Sequence, residues 1–205
     1  MKVLILDFDG TIVDSHSIKG RVFRKLYENE GEEFMTRVED FHEAHTGRTR
    51  FEKFREFASW RGETLTPEQE AGLGQAFHAL VEAELMRAPY IEGFEDFLAR
   101  IPAATRLFIV SVADAGEIAD ILKRRGIQDR FERIYGFVES KADTIRTIME
   151  ETGVPSDEVM YVGDAPADEE AAKEAGVPFT GIMSTFFKKH PPSSRCIASF
   201  SEFPL

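Results

Sequence analysis

Cysteine is almost absent from this sequence, with one residue, Cys196, among 205. A lone cysteine cannot close an internal disulfide, and it excludes a zinc site built from several thiolates. Basic side chains are outnumbered: 25 Lys and Arg stand against 37 Asp and Glu, for a formal net charge of −12. Nucleic-acid binders usually carry the opposite imbalance, and an anionic membrane surface would repel this chain, so no nucleic-acid or membrane partner is expected. Long hydrophobic runs are missing as well. The apolar stretch from Met1 to Leu6 is ended by Asp7 and Asp9, too early for the apolar core of a signal peptide. No run approaches the length of a membrane span. These absences lead us to expect a soluble, cytoplasmic protein. What is present is a globular balance of 42% hydrophobic and 30% charged residues. Its length suits one domain, or one domain with a small insert. An acidic protein that handles an anionic substrate needs a local positive device, such as a metal ion.

Short continuous apolar runs recur along the chain. Val3 to Leu6, Leu107 to Val110, Arg133 to Phe137, Val159 to Val162 and Phe179 to Met183 each suit a strand buried on both faces, and Ile197 to Phe200 suits a weak final one. Helical spacing fills the intervals. Ile118, Ile121 and Leu122 mark a helix from Asp114 to Arg125. Ile145, Ile148 and Met149 mark another from Lys141 to Thr152, and Asp168 to Ala175 is an alanine-rich third. Gly126, Gly153 and Gly176 stop them. This alternation predicts an α/β fold with a doubly wound parallel sheet. Residues 188–194 read as a surface loop.

Residues 15–88 break the rhythm. No strand-like run occurs there. Ile18, Val22, Phe23 and Leu26 define one helical face, Phe34, Val38 and Phe41 a second, and Phe51, Phe54 and Ala58 a third. Thr66-Pro67 is a helix start, with a hydroxyl at the N-cap and proline at the first helical position, and Leu73, Phe77, Leu80 and Val81 continue it. We therefore expect a helical domain at residues 15–88, inserted into an α/β core made of residues 1–14 and 89–205. Phenylalanines supply the core of the insert.

Polar groups collect where the strands end: Asp7 and Asp9, Ser111, Lys141 just past the third strand, then Asp164 and Asp168. In open α/β sheets the ligand crevice lies outside the carboxyl ends of the strands, so residues far apart in sequence are predicted to meet there. In extended backbone, residues i and i+2 point to the same side. Asp7 and Asp9 are so spaced, and their charges repel. A cation relieves such crowding, and hard oxygen donors without thiols suit Mg²⁺.

The segment Asp7-Phe8-Asp9-Gly10-Thr11-Ile12-Val13-Asp14-Ser15 resembles the first motif of the haloacid dehalogenase-like (HAD-like) hydrolase superfamily, in its phosphatase branch. Ser111 fits the second motif, Lys141 the third, and Gly163-Asp164-Ala165-Pro166-Ala167-Asp168 the fourth. The helical insert resembles the cap of the first type, as in phosphoglycolate phosphatase-like members. The third motif is often Lys-Pro, whereas this chain has Lys141-Ala142.

The resemblance implies a Rossmann-like core and a Mg²⁺-dependent phosphomonoester hydrolase. Asp7 would be the nucleophile that forms an aspartyl-phosphate, and Asp9 the general acid and base. Mg²⁺ would be held by Asp7, the Asp9 carbonyl and Asp164, with Asp168 in an outer shell around it. Ser111 and Lys141 would hold the phosphoryl oxygens, with Thr11 and the Val112 backbone also on the substrate. Asp9 favours phosphoryl transfer over dehalogenation, because a halide leaving group needs no proton. A phosphotransferase such as a sugar-phosphate mutase, and a non-catalytic phosphate sensor, are the alternatives. In the insert, Thr46-Gly47-Arg48-Thr49-Arg50 resembles the cap loop that reaches the substrate, so Arg48 or Arg50 would bind a second anionic group. His42, His45 and His78 read as packing or surface residues; His16, just after the first motif, is a weaker site candidate. The expected partner is a small phosphorylated metabolite, and the expected assembly a monomer or homodimer.

Overall fold

The computed structural model describes residues 1–45 and 47–204, except for the side chains of His16, Ser17 and Ala83. In chain order, strand β1 (Val3–Leu6) leads to helices α1 (His16–Leu26), α2 (Glu32–Ala44), α3 (Arg50–Ser59) and α4 (Pro67–Leu85). Helix α5 (Phe94–Arg100), β2 (Arg106–Val110), α6 (Ala115–Arg124), β3 (Arg133–Tyr135) and α7 (Lys141–Thr152) follow. Then come β4 (Val159–Gly163), α8 (Pro166–Ala175), β5 (Phe179–Ile182), α9 (Thr185–Lys189) and β6 (Arg195–Ile197). The chain divides into two compact units, Met1–Asp14 with Pro89–Leu205, and Ser15–Ala88.

In the first unit the six strands form one sheet in the order β3-β2-β1-β4-β5-β6, and every neighbouring pair is parallel. Both faces are covered. Val3, Ile5, Phe108, Val110, Val159 and Tyr161 pack on one side with Ile145 and Ile148 of α7 and Ala171 and Ala172 of α8. The alternate residues Leu4, Leu6, Leu107, Ile109 and Val162 are equally buried. Burial on both faces explains why these strands read as unbroken apolar runs.

Local chemistry sets the helix ends that matter for the site. Ser140 caps α7 by accepting the Asp143 N–H at 3.1 Å, and Gly153, at φ 66°, closes it. Helix α8 begins two residues before the predicted Asp168, because Pro166 occupies its first turn, where a missing N–H costs nothing.

Two strands differ from expectation by more than one residue. The third ends at Tyr135 instead of Phe137, because Phe137 adopts φ 50° and its N–H turns to the Ala113 carbonyl at 2.8 Å. Gly136 permits that approach: a Cβ there would lie 2.3 Å from the Ala115 nitrogen. The last strand is Arg195–Ile197, and Phe200 falls in a 3₁₀ turn, because Phe200 and Phe203 turn inward onto Phe97 with ring separations of 4.7 and 4.9 Å. Phe97 belongs to α5, a helix the sequence reading did not anticipate, although Phe94, Phe97 and Leu98 carry its spacing and are buried. Lys188 and Lys189, expected in a loop, close α9.

The second unit is built from α1 to α4. Its core is aromatic: the Phe23 ring lies 5.9 Å from Phe54, 5.7 Å from Phe57 and 4.5 Å from Phe77. Capping boxes start two helices, Thr49 with Glu52 on α3 and Thr66 with Gln69 on α4. Lys53 is buried in this core, its ammonium 3.0 Å from His42 Nδ1. No helix among the described residues is long and apolar enough to cross a membrane.

Candidate active site

The strand order reverses between β1 and β4, the position at which open α/β sheets bind ligands beyond the strands' carboxyl ends. Asp7 directly follows β1 and Asp164 directly follows β4. The Asp7 N–H continues the ladder to the Val162 carbonyl at 2.9 Å, so its position is fixed by the sheet. The chain then turns tightly. Gly10, at φ 75°, donates to the Val13 carbonyl at 2.8 Å, and the N–H groups of Ile12 and Val13 both point to the Phe8 carbonyl. A side chain at residue 10 would strain this turn. Asp9 sits on it, partly exposed.

Lys141, at the start of α7, reaches across to this pair. Its ammonium donates to Asp168 Oδ1 at 2.6 Å and lies 3.3 Å from Asp7 Oδ2. Asp168 is fully buried and held on every side: the Tyr161 hydroxyl donates to its Oδ1 at 2.8 Å and the Ala165 N–H to its Oδ2 at 3.1 Å. Gly163 makes the packing possible, since a Cβ there would lie 2.4 Å from Asp168 Cβ and Cγ. Asp164 is held from behind. Ser184 Oγ donates to its backbone carbonyl at 2.6 Å and accepts from the N–H groups of Phe186 and Phe187, which makes it the cap of α9.

Burial dominates the electrostatics. Desolvation lifts the Asp7 carboxyl from 3.8 to about 7; Lys141 opposes that rise, while Asp168, Asp164 and Asp9 add to it. Burial works against the Lys141 ammonium too, but the Asp168 and Asp7 carboxylates outweigh it and hold its pKa above the ordinary value. Burial, then the Asp168 charge, keeps the Tyr161 phenol protonated as a donor.

The donor set suits a hard divalent cation. Ligand oxygens of Asp7, Asp164 and Asp168 lie within 4.8 Å of one another. Asp7 Oδ1 is buried and accepts no hydrogen bond among the described residues. An orphaned carboxylate oxygen is costly unless something positive meets it. Both oxygens of Asp168 already accept protein donors. Asp7 and Asp164 could therefore ligate directly, with Asp168 behind them.

A family model described as haloacid dehalogenase-like hydrolase matches residues 4–182. The chain belongs to this family. A phosphoglycolate phosphatase from Rhodospirillum rubrum is 30% identical over 104 residues, which cover 48% of this chain and 43% of the relative. The match thus spans less than half of that relative. CbbY from Rhodobacter sphaeroides, solved as a mutant in complex with xylulose-(1,5)bisphosphate, shares the fold with a TM-score of 0.79 at 19% identity, covering 98% of this chain and 96% of that one. The β-phosphoglucomutase of Clostridium difficile superposes with a TM-score of 0.80 at 16% identity, covering 100% of this chain and 94% of that one.

Within this HAD-like chain, the structure brings Asp7, Lys141, Asp164 and Asp168 together. Two hydroxyls of the set are fully buried. Thr11, expected on the substrate, is fully buried, and its Oγ1 donates to Asp164 Oδ1 at 3.5 Å. Ser111 is also fully buried, and its Oγ accepts the Ala113 N–H at 3.1 Å, which braces the loop after β2. Val112, next in that loop, is partly exposed.

Arg48 and Arg50 belong to the helical unit. Arg48 is exposed, 5.6 Å from the Phe41 ring centre and 4.0 Å from a Glu56 oxygen; the Arg50 guanidinium lies 5.1 Å from the Phe77 ring centre. Thr46 and the His16 side chain lie outside the described residues. His42 is buried, His45 stacks on Phe41 at 3.9 Å, and His78 pairs with Glu82 at 3.9 Å. Sequence reasoning missed Tyr161 and Ser184. Tyr161 carried a usable signal, since a tyrosine inside an apolar strand needs a partner for its hydroxyl. Ser184 carried none beyond its place before a helix.

Proposed function

We propose that this protein is a Mg²⁺-dependent phosphatase that hydrolyses a small phosphomonoester through an aspartyl-phosphate on Asp7. The observation that carries the reading is the buried Asp7 carboxylate, with one oxygen orphaned and the other 3.3 Å from the Lys141 ammonium, at the switch point of the sheet. Family membership and the named phosphatase relative support hydrolysis as the outcome.

Asp7 attacks phosphorus through its carboxylate, and the ester oxygen leaves. Asp9, on the turn beyond, protonates that oxygen and then takes a proton from the water that cleaves the acyl-phosphate. Lys141 lies over the charge that grows on the phosphoryl oxygens, and the Ser111 hydroxyl keeps a proton for one of them while the Val112 N–H meets another. Asp7, the Asp9 carbonyl and Asp164 would hold Mg²⁺, which would supply positive charge that favours the ionised Asp7 and offsets the charge of the phosphoryl group. Asp168 holds Lys141 in place and Thr11 backs Asp164. Residues 15–88 act as the cap domain, and Arg48 or Arg50 recognises a second anionic group of the substrate. The work is cytoplasmic, on a small phosphorylated metabolite, by a monomer or homodimer.

A phosphate-release screen over small phosphomonoesters, with and without Mg²⁺, tests this reading. Release that requires both Mg²⁺ and Asp7 is expected. Absence of release from every ester, by folded protein with Mg²⁺, refutes it.

A further inference from the structure

Tyr161 lies inside β4, fully buried, three residues before Asp164. Its ring belongs to the apolar core between the sheet and helices α7 and α8. A phenylalanine would fill that space equally well. The hydroxyl therefore needs its own reason, because burying it without a partner is costly. Its partner is Asp168 Oδ1, at 2.8 Å, the same oxygen that receives the Lys141 ammonium at 2.6 Å.

One carboxylate oxygen thus serves two donors of different kinds, one neutral and fixed in the sheet, the other charged and at the end of a long side chain. The lysine has a second claim on it, Asp7 Oδ2 at 3.3 Å. How far the ammonium leans toward Asp168 or toward Asp7 depends on how much negative charge Oδ1 keeps. A hydrogen bond from Tyr161 disperses part of that charge and holds the carboxylate in one orientation. The Ala165 N–H does the same at Oδ2.

From this geometry we infer that Tyr161 is a positioning residue: its hydroxyl anchors Asp168 and so sets the placement of the Lys141 ammonium over the reacting phosphoryl group. The inference rests on the phosphatase reading for its consequence in turnover, but not for the placement itself. Without the hydroxyl, Asp168 Oδ1 keeps more of its charge and holds Lys141 more strongly, at the expense of the contact with Asp7. Because Lys141 acts on charge that develops during transfer, the loss falls on the chemical step more than on substrate binding.

The test compares wild type with Tyr161→Phe, with Mg²⁺ and the best ester from the screen. We expect kcat to fall about tenfold or more, the effect of one lost hydrogen bond to a charged group, while KM changes by less than about threefold. An unchanged kcat, or a loss confined to KM, overturns the inference. A second readout needs no turnover: the Lys141 ammonium signal in the NMR spectrum of lysine-labelled protein should move in Tyr161→Phe, and an unmoved signal overturns the inference. If wild type releases no phosphate from any ester, the phosphatase reading fails while this signal still decides the role of Tyr161. Should Tyr161→Phe not fold, 3-fluorotyrosine placed at residue 161 keeps the ring and hydroxyl and changes the donor strength; the Lys141 signal is again expected to move, and its constancy refutes the anchor.

Discussion

Lys141 donates a hydrogen bond to Asp168 across 27 positions of sequence, at 2.6 Å, from the first residue of α7 to the buried face of α8. A lysine at a helix start faces the unfavourable end of the helix dipole. The Ser140 cap holds the helix start, and the two carboxylates more than offset the burial of the ammonium. The alanine that follows, in a place where related motifs often carry proline, therefore leaves the ammonium in position. The pair also ties α7 to α8 behind the strand ends, so the position of the cation depends on core packing as well as on its own loop.

Asp7→Asn should abolish turnover, by at least about 10³-fold, because an amide cannot form the acyl-phosphate. The fold should survive, since the replacement is nearly isosteric. Steady-state phosphate release, with circular dichroism on the same preparation, checks this. A folded variant with near-normal turnover would remove Asp7 from the mechanism.

The same residue makes metal-free stability depend on pH in a defined direction. The folded-state pKa of Asp7 is about 7 against an ordinary 3.8. Between those values the folded protein keeps a proton that the unfolded chain has released. The Asp7 contribution to stability is therefore complete below the lower value, is lost as pH rises through the window, and is flat above the upper one. Urea unfolding without divalent cation should show wild type weakening relative to Asp7→Asn across that window. Above it, added Mg²⁺ should raise the midpoint of wild type more than that of the variant. Parallel curves for the two proteins would contradict the burial argument.

Gly163→Ala probes the contact between strand and acidic helix. The new Cβ would lie 2.4 Å from Asp168 Cβ and Cγ, atoms close to the backbone that cannot swing aside. Asp168 must shift, and Lys141 with it. We expect a loss of stability of about 1–3 kcal/mol, as for overpacking elsewhere in protein cores. We also expect a fall in kcat that added Mg²⁺ does not restore. Unaltered kcat in a destabilised variant would show that Lys141 does not depend on where Asp168 sits.

The pattern of what the sequence discloses follows from this packing. Strands buried on both faces leave unbroken apolar runs, so β1, β2, β4 and β5 are legible, and polar residues at their ends mark the site. Helix α5 is harder to read, because its Phe94 and Phe97 lie in a short segment whose partners, Phe200 and Phe203, come at the far end of the chain. The end of β3 depends on Gly136 meeting the loop after β2, a contact that no local pattern encodes. The burial of Thr11 and Ser111 is equally invisible, since a hydroxyl at a strand end reads the same whether it is exposed or packed against its own loop. Lys53 looks like one charge on an exposed helix until the fold places it against His42.

Asp9→Asn separates protonation from nucleophilic attack. With an alkoxide leaving group the first step needs a proton, and single-turnover rates should fall strongly. With a nitrophenolate leaving group the same step needs little help and should fall much less. Single-turnover measurement is required, because hydrolysis of the aspartyl-phosphate, which also uses Asp9, otherwise limits both rates. Equal losses in the first step for the two esters would contradict Asp9 as the general acid.

The arginines of the helical unit address selectivity. Arg48 is exposed beside Phe41 and Glu56, whereas Arg50 lies against the buried Phe77 ring. The two replacements should therefore differ in cost. Arg48→Ala should leave the unfolding midpoint nearly unchanged, since exposed ion pairs contribute little. Arg50→Ala loses a cation–ring contact, at a cost of about 0.5–1 kcal/mol. If the substrate carries a second anionic group, the arginine that meets it should show a loss in kcat/KM of about 10- to 100-fold on replacement, from one charge-assisted contact. We favour Arg48, because its guanidinium is more exposed and its neighbours hold it loosely. Nitrophenyl phosphate, which has no second anion, should be affected far less, because Asp7, Lys141 and Asp164 are untouched. Measuring both substrates in both single variants and the double variant separates the outcomes. Equal loss on the two substrates would trace the effect to folding of the helical unit, and no loss in the double variant would reduce these arginines to a solvated basic turn.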